Sequence, residues 1–275
     1  MARASDTVEV SGGTVKSLHR GLRLLQALAR VEAGMTLTEL ADHVDLAPST
    51  THRLLNTLLH SGFVEVEEST GVWHIGVQAL AVGNAFLKGH DFVSLSRPFL
   101  RRLTEASGET SNLAVENGGH AVFLSQVECR AIVRAMARPG DRTPLTCSGV
   151  GQALLACMSQ ERVEELIRQH GLPCYTPKTV TTPDQLHQTL ARTRQRGWAL
   201  DDEAQALGMR CVAAPFFNAY GEAVAAISIS GPTPRISDAR IPVLGDLVAR
   251  TAAGITHRIG GRPARGFHSP HVGAG

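Results

Sequence analysis

The 275-residue chain has few aromatic residues, few cysteines and almost no net charge. Aromatic residues make up 4% of it, too few for the stacking platforms that bind single-stranded nucleic acid. The five cysteines are Cys129, Cys147, Cys157, Cys174 and Cys211. Because they form no CxxC pair, neither a disulfide framework nor a zinc site is predicted. We therefore expect a reduced protein without a metal or other cofactor.

The sequence also lacks a long apolar run. Residues 223–229 form an apolar stretch, but it is far shorter than a membrane-spanning helix requires. The first residues, MARASDTVEVSGG, do not resemble a signal segment, so a cytoplasmic protein is expected. The length of the chain predicts two domains, each with its own core.

Residues 37–60 have the pattern of two short helices joined by a tight turn. The first helix would bury one apolar face, made of Leu37, Leu40, Ala41 and Val44. Pro48 interrupts this pattern, and Ser49 is expected to cap the second helix. The second helix would bury Thr51, Leu54, Leu55 and Leu58. The candidate DNA-binding residues lie on its outward face: Ser49, Thr50, His52, Arg53 and Asn56. Such side chains can bind base edges in the DNA major groove.

Further elements flank these two helices. Residues 63–67 and 72–75 alternate apolar and polar side chains around a glycine-bearing turn, which predicts a β-hairpin. An upstream helix is predicted to bury the stripe Val15, Leu18, Leu22, Leu25 and Ala29. The order over residues 14–76 is that of a winged helix-turn-helix DNA-binding domain. The alternatives are a helical bundle with a polar exterior, or a winged helix that contacts only proteins.

Residues 77–90 are predicted to form a linker helix, and residues 91–260 a second domain. Helices are expected at residues 92–106, 183–196 and 238–258, and two more are expected to begin at residues 152 and 160. Strands are expected at residues 112–116, 121–128 and 131–137, and near residues 198, 211 and 223. This order predicts an α+β fold, with a mostly antiparallel sheet flanked by helices. The tails, residues 1–13 and 261–275, are expected to be disordered.

Eight separated motifs carry a family resemblance: GTVKSLHRGLRLLQALA, LTELADHVDLAPSTTHRLLNTL, GFVE, WHIG, SGET, CSGVGQALLA, RGWALDDEAQALGMRC and AAISISGP. In this order they resemble the IclR family of bacterial transcriptional regulators, in particular its glyoxylate-responsive members that govern the glyoxylate bypass and allantoin use. The resemblance covers residues 14–260. The resemblance implies a winged helix-turn-helix head, a linker helix and a GAF-like effector domain. It also implies a homodimer or homotetramer on double-stranded operator DNA. Most members of the family repress and some activate, and we expect a repressor.

Candidate effector-binding residues lie in the second domain. The amides of Gly149 and Val150 would lie at a helix N-terminus, which favours a carboxylate. Ser228 and Ser230 share one face of a strand by the period of two. The resemblance adds Asp201 and Cys211 to this polar set, where the family binds its small acid. Taken singly, these residues are also compatible with ordinary sheet serines, a loop aspartate and a buried cysteine.

The resemblance places four further residues in the pocket wall: Ile132, Ala135, Thr143 and Met209. Ala135 and Thr143 are smaller or more polar than the aliphatic side chains expected in a glyoxylate responder. The predicted effector is a 2-oxo acid, glyoxylate or pyruvate. A different small or aromatic carboxylate is the alternative.

Two enzyme motifs are incomplete in the sequence. A G-x-G-x-x-G fingerprint beginning at Gly149 is interrupted by Leu154, and no P-loop lysine motif occurs, so a nucleotide cofactor is not predicted. The segment around Ser148 lacks the first glycine of a hydrolase nucleophile elbow, and no histidine is placed to serve it. A hydrolase using Ser148 is the lesser alternative, and we predict that the chain is not an enzyme.

Overall fold

A computed structural model describes residues 15–88 and 91–270. The chain divides into two compact units, Met1–His90 and Asp91–Gly275. The predicted tails at residues 1–13 and 271–275 lie outside the described residues. No helix within the described ranges is long and apolar enough to cross a membrane.

The first unit is a winged helix-turn-helix. Its elements are α1 (Lys16–Leu28), β1 (Met35–Thr36), α2 (Leu37–Val44), α3 (Pro48–His60), β2 (Val64–Glu67), β3 (Val72–Ile75) and α4 (Val77–Lys88). The strands form an antiparallel sheet in the order β1-β3-β2, so the predicted hairpin is confirmed and gains a short third strand. The core includes Leu24, Leu40, Leu55, Val64 and Trp73.

Local interactions fix the turn before the second helix of the motif. A capping box joins Thr36 and Glu39 at the start of α2. Asp45 ends α2 in the left-handed region, with φ of 54°. The prediction that Ser49 caps α3 is wrong. Helix α3 begins at Pro48 and its N-cap residue, Ala47, has no side-chain cap, since proline needs no amide partner in the first turn.

The buried face of α1 differs from the predicted stripe. Its buried residues are Gly21, Leu24, Ala27 and Leu28. Of the predicted stripe only Leu25 is half-buried, and Ala29 is exposed. Val15, Leu18 and Leu22 are 61%, 63% and 49% exposed, and we call these three residues the α1 apolar face. The helix carries two neighbouring apolar stripes, and periodicity alone does not say which one packs within the chain.

The second unit is an α+β fold around one antiparallel sheet. Its strands are β4 (Thr110–Asn117), β5 (His120–Val127), β6 (Arg142–Pro144), β7 (Ala199–Asp202), β8 (Met209–Phe217) and β9 (Ala223–Pro232). Its helices are α5 (Asp91–Ser107), α6 (Gly149–Leu155), α7 (Gln160–His170), α8 (Pro183–Arg196) and α9 (Ile241–Arg258). The six-stranded sheet has the order β6-β5-β4-β9-β8-β7. One core joins the sheet to α5 and α9, and another joins it to α6, α7 and α8.

The predicted strand at residues 131–137 does not form. These residues have no regular structure, and the partner of β5 on that side is instead β6. Arg134 turns back on Glu128 through an ion pair of 2.6 Å, and Gly140 donates a backbone hydrogen bond to Phe123. The apolar side chains of Ile132 and Val133 are left exposed. A turn therefore occupies the position that the alternating pattern assigned to a strand.

Residues 261–270 are ordered, contrary to the prediction of a disordered tail. Phe267 is buried, and its ring contacts that of Phe217 edge-on at 5.4 Å between centroids. The amide of His268 donates to the carbonyl of Arg194 at the end of α8. We call residues 261–270 the C-terminal strap. A buried aromatic contact and backbone hydrogen bonds therefore attach this glycine- and proline-rich segment to the second unit.

Candidate functional site

A line of side chains crosses four neighbouring strands of the second unit. Asp201 on β7 lies opposite Cys211 on β8, and Cys211 lies opposite Ser230 on β9. Ser230 in turn lies opposite Thr110 on β4. Residues that are directly paired across strands project from the same face of a sheet. The register therefore brings together three residues of the predicted set, Asp201, Cys211 and Ser230. We call these three residues and Thr110 the polar row.

Ser228 lies two residues before Ser230 and shares its face. Its hydroxyl oxygen lies 3.4 Å from Nδ2 of Asn112, and Oδ1 of Asn112 accepts a hydrogen bond of 3.0 Å from Nε2 of Gln126. Thr110, Asn112 and Gln126 were not identified in the sequence. The signal that identifies them is cross-strand register, which only the fold supplies.

Helix α6 begins against the polar row. A Cβ atom on Gly149 would lie 2.8 Å from Sγ of Cys211, so this close approach requires a glycine. Ser148 caps the helix by accepting from the amide of Gly151 and donating to the carbonyl of Pro144. Its buried hydroxyl is thereby engaged both as donor and as acceptor, which removes the argument for a Ser148 nucleophile.

Asp201 is an acid with little access to water. It is 5% exposed, and its Oδ1 accepts the amides of Ala204 at 2.7 Å and Gln205 at 3.3 Å. Burial raises the pKa of Asp201 to about 7 although these two hydrogen bonds lower it, and the charges of Asp202 and Glu203 raise it further. Its Oδ2 has no hydrogen-bond partner in the part of the chain that the structure describes. The carboxyl group of Asp201 therefore titrates close to neutral pH.

The two thiols beside Asp201 are held neutral. Burial raises the pKa of Cys211 to about 11, and the charge of Asp201 raises it too, against hydrogen bonds from Ser230, Ser228 and the amide of Val150. Burial and Asp201 also raise the pKa of Cys147 to about 12. A thiol is a nucleophile only as the thiolate, so this site is suited to binding and not to covalent chemistry.

The four predicted wall residues differ in their surroundings. Thr143 is buried and its hydroxyl accepts a hydrogen bond of 2.7 Å from Nε2 of Gln205. Met209, at the start of β8, and Ala135 are half-buried. Ile132 is 94% exposed. An apolar wall that includes Ile132 therefore requires residues 131–141 to fold over the polar row.

The candidate DNA-binding residues lie on α3 of the first unit. Ser49, His52 and Arg53 are exposed, while Thr50 and Asn56 are half-buried. On the opposite side of the helix, Thr51 and Leu55 are fully buried and Leu54 and Leu58 half-buried. Nδ2 of Asn56 lies 3.4 Å from Nδ1 of His52, one helical turn away. The helix thus presents one contiguous polar face.

Family models match both units. The model of the IclR helix-turn-helix domain matches residues 17–68, and that of the bacterial transcriptional regulator IclR C-terminal domain matches residues 84–257. The chain belongs to the IclR family. It is therefore a DNA-binding transcriptional regulator with a C-terminal effector domain, and not an enzyme. The resemblance found in the sequence is confirmed.

IclR-family relatives cover most of the chain. The HTH-type transcriptional regulator BhcR of Paracoccus denitrificans is 45% identical over 89% of this chain and 87% of its own. The transcriptional repressor IclR of Escherichia coli is 43% identical over 90% and 92%. Among solved structures, a transcriptional regulator from Rhodococcus sp. RHA1 matches with a TM-score of 0.77 at 26% identity, over 90% of this chain and 98% of that one. These matches agree with the predicted fold class.

Proposed function

We propose that this IclR-family regulator is a repressor whose affinity for operator DNA is changed by a small 2-oxo acid, glyoxylate or pyruvate, bound at the polar row. The observation that carries the proposal is the pairing of Asp201, Cys211 and Ser230 across three strands, beside the first residues of α6. An E. coli relative at 43% identity is named a transcriptional repressor, which supports repression here.

The polar groups at the row fit a small oxo acid. The hydroxyls of Ser228 and Ser230 and the amide of Val150, which hydrogen-bond to the Cys211 sulfur, would donate to the effector's carboxylate in its place, together with the amide of Gly149. Glyoxylate in water is mainly its gem-diol, and Oδ2 of Asp201 would accept one of the two diol hydroxyls. Cys211 and Met209, with Ala135 and Thr143, would line the walls. Ile132 would reach the effector only after residues 131–141 fold inward.

The exposed position of Ile132 also supports a second candidate effector. Ile132 is 94% exposed, so this part of the predicted wall does not itself limit the size of the acid, which could then be an aromatic carboxylate. Both candidate effectors carry a carboxylate. They differ in the group attached to it, an oxo group in one and an aromatic ring in the other.

DNA reading is assigned to the polar face of α3. Arg53, His52 and Asn56 would contact base edges, while Ser49 and Thr50, near the start of the helix, would bind phosphate. One such head contacts a single half-site, so symmetric pairing over a palindromic operator is expected.

Pairing of the heads is supported by the α1 apolar face. Val15, Leu18 and Leu22 are 61%, 63% and 49% exposed, although they lie on one side of one helix. A second copy of the chain would bury this face in a homodimer, and two dimers would make a homotetramer.

The mechanism is linkage between the two sites. If the acid binds one arrangement of the paired heads more tightly than the other, DNA affinity changes by the same coupling free energy, typically about 1–3 kcal/mol. Asp201 would be ionised when the bound effector donates a hydrogen bond to it, and protonated when the effector offers it only an acceptor.

The test combines DNA binding with calorimetry. A DNA site is first selected from a random-sequence library with the wild-type chain, and its release is followed by fluorescence anisotropy as glyoxylate, pyruvate, benzoate or acetate is added. Glyoxylate or pyruvate should release the DNA, while acetate, which lacks the oxo group, should not. Asp201→Ala should abolish the glyoxylate response and affect pyruvate less, while DNA binding without effector is unchanged. Release by benzoate alone would select the aromatic candidate, and unchanged glyoxylate affinity in both Asp201→Ala and Ser228→Ala would reject the site.

A further inference from the structure

Three polar side chains form a line across β5, β4 and β9. Gln126 lies opposite Asn112, and Asn112 lies opposite Ser228, so all three project from the face that carries the polar row. Asn112 is 1% exposed and Ser228 is fully buried. The line runs from a half-buried amide at one end to the candidate effector site at the other. We call Gln126, Asn112 and Ser228 the relay.

The relay has a direction. Nε2 of Gln126 donates to Oδ1 of Asn112 at 3.0 Å, which leaves Nδ2 of Asn112 facing the hydroxyl oxygen of Ser228 at 3.4 Å. A hydroxyl that accepts on its oxygen retains its own hydrogen to donate elsewhere. Ser228 shares the sheet face of Ser230, which lies directly opposite Cys211, so the sulfur of Cys211 is a neighbour of this hydroxyl on the same face. Without an effector this hydrogen is engaged by the sulfur of Cys211, a weak acceptor, and an anion bound at the polar row would compete with the sulfur for it.

We propose that Gln126 and Asn112 are positioning residues that orient the Ser228 hydroxyl as a donor into the effector site, which selects for an anionic acceptor. This proposal rests on the proposed binding of the effector at the polar row. Neither Gln126 nor Asn112 needs to touch the effector. A buried hydroxyl whose hydrogen was taken up by a neighbouring carbonyl would instead present lone pairs to a carboxylate, which is repulsive.

Gln126→Glu reverses the relay without altering the site itself. An ionised carboxylate cannot donate, so Nδ2 of Asn112 would turn toward it and Oδ1 toward Ser228. The hydroxyl of Ser228 would then donate to Asn112 and no longer to the effector. The dissociation constant of glyoxylate, measured by calorimetry on the full chain near neutral pH, should rise about tenfold or more.

The pH profile separates orientation from a structural defect. The carboxyl group introduced by Gln126→Glu can again donate to Asn112 once it is protonated. We therefore compare the variant's dissociation constant for glyoxylate with that of the wild type at each pH. The ratio of the two should fall toward one as the pH is lowered from about 8 to about 4.5. Taking the ratio at each pH removes the titration of Asp201. Gln126→Met, which neither donates nor accepts, should give a ratio that does not vary with pH. A pH-independent ratio in Gln126→Glu would overturn the proposal.

A double-variant comparison separates orientation from charge repulsion. In the Ser228→Ala background the hydroxyl is absent, so adding Gln126→Glu should leave glyoxylate affinity unchanged. If Gln126→Glu weakens binding equally with and without the hydroxyl, the new charge acts directly on the anion and the relay is rejected.

A measurement without effector keeps this inference distinct from the proposed function. In ¹⁵N-labelled full chain, Ser228→Ala should shift the side-chain amide signals of Asn112, and this shift should be smaller when Gln126→Glu is also present, because the hydrogen bond lost there is at Oδ1 and not at Nδ2. If the wild type binds neither glyoxylate nor pyruvate but these shifts occur, the effector assignment fails while the relay stands. Asn112 amide signals that do not respond to Ser228→Ala in the wild-type background would overturn the relay.

Discussion

Asp201 and Cys211 face each other across β7 and β8, and the charge of the carboxyl adds to burial in raising the pKa of the thiol. Burial also raises the pKa of Asp201 to about 7, so near neutral pH a neutral thiol lies beside a carboxyl group that is only partly ionised. Such a pair can accept a small anion without strong like-charge repulsion. It also makes the site sensitive to pH near neutrality.

Asp201 should make the protein less stable as the pH rises. Its pKa is about 7 in the folded chain and near the ordinary 3.8 in the unfolded chain, so the folded state holds the extra proton between these values. Its contribution is fully present below pH 4 and is lost as the pH rises through 7, a decrease in unfolding free energy of at most about 4 kcal/mol. Urea unfolding between about pH 5 and about pH 8 should show that the unfolding free energy of the wild type falls relative to that of Asp201→Asn as the pH rises.

The matched control is Asp246→Asn, which changes an exposed aspartate on α9. Its unfolding free energy should follow that of the wild type at every pH. Identical pH dependence in wild type and Asp201→Asn would mean that Asp201 titrates in the folded chain as it does in water.

Arg53 should contribute base-specific DNA affinity. It is exposed on α3, and its guanidinium can bind a guanine edge with two hydrogen bonds. Arg53→Ala should weaken binding to the selected operator by about 1–3 kcal/mol, measured by anisotropy at fixed salt concentration, and leave the calorimetry of the effector unchanged. Arg168→Ala, an exposed arginine on α7, is the control and should bind as the wild type does. An equal loss on random DNA would indicate a phosphate contact instead.

The α1 apolar face should hold two heads together. Leu18 is 63% exposed, and Leu18→Glu would bring an unpaired carboxylate into any interface formed there. The variant should reduce the mass measured by light scattering at micromolar concentration, or abolish the palindromic footprint if the C-terminal units also associate. Leu207→Glu changes a residue of the second unit that is equally exposed, at 64%, and should alter neither measurement. A monomeric wild type that still binds its operator tightly would contradict pairing.

The C-terminal strap should contribute measurably to stability. Phe267 is buried with its ring against Phe217, so Phe267→Ala would leave a cavity in the core that includes α6 and α8. Loss of a phenylalanine from a core typically costs about 3–5 kcal/mol, and its partial exposure here places the expected loss at the lower end. Tyr220→Ala, in which an 80% exposed ring is removed, is the control for loss of an aromatic group. An equal midpoint of thermal unfolding in wild type and Phe267→Ala would show that the strap adds nothing.

The long helices of the second unit were predicted well, whereas the predicted strand at residues 131–137 does not form. Helix α8 has the predicted bounds, 183–196, because Pro183 favours the first turn of a helix and Thr182 caps it. Helix α5 begins and ends one residue outside the prediction, which helical periodicity supplied in spite of Pro98 in its interior. The face of α1 could not be predicted in the same way. Both of its apolar stripes satisfy the helical period, and only contacts with α2 and α3 select Leu24 and Leu28 for the core.

The candidate site shows the same limit more strongly. The period of two placed Ser228 and Ser230 on one face, but Asn112 is 116 residues away from Ser228 in the sequence. Register between strands so far apart depends on the packing of the whole sheet, and no local pattern encodes it. Burial likewise cannot be read from the composition around Asp201, although burial is what shifts its pKa.

The position of Phe267 bears on the order in which the protein folds during synthesis. The first unit has all its residues once the ribosome has passed α4, and its contacts are formed between neighbouring elements. In the second unit, the contact that Phe267 makes with the ring of Phe217 cannot form until residue 267 has left the ribosome. The DNA-binding head can therefore be folded while the effector domain still exposes an apolar surface, the stage at which a nascent chain is most prone to aggregate or to bind chaperones.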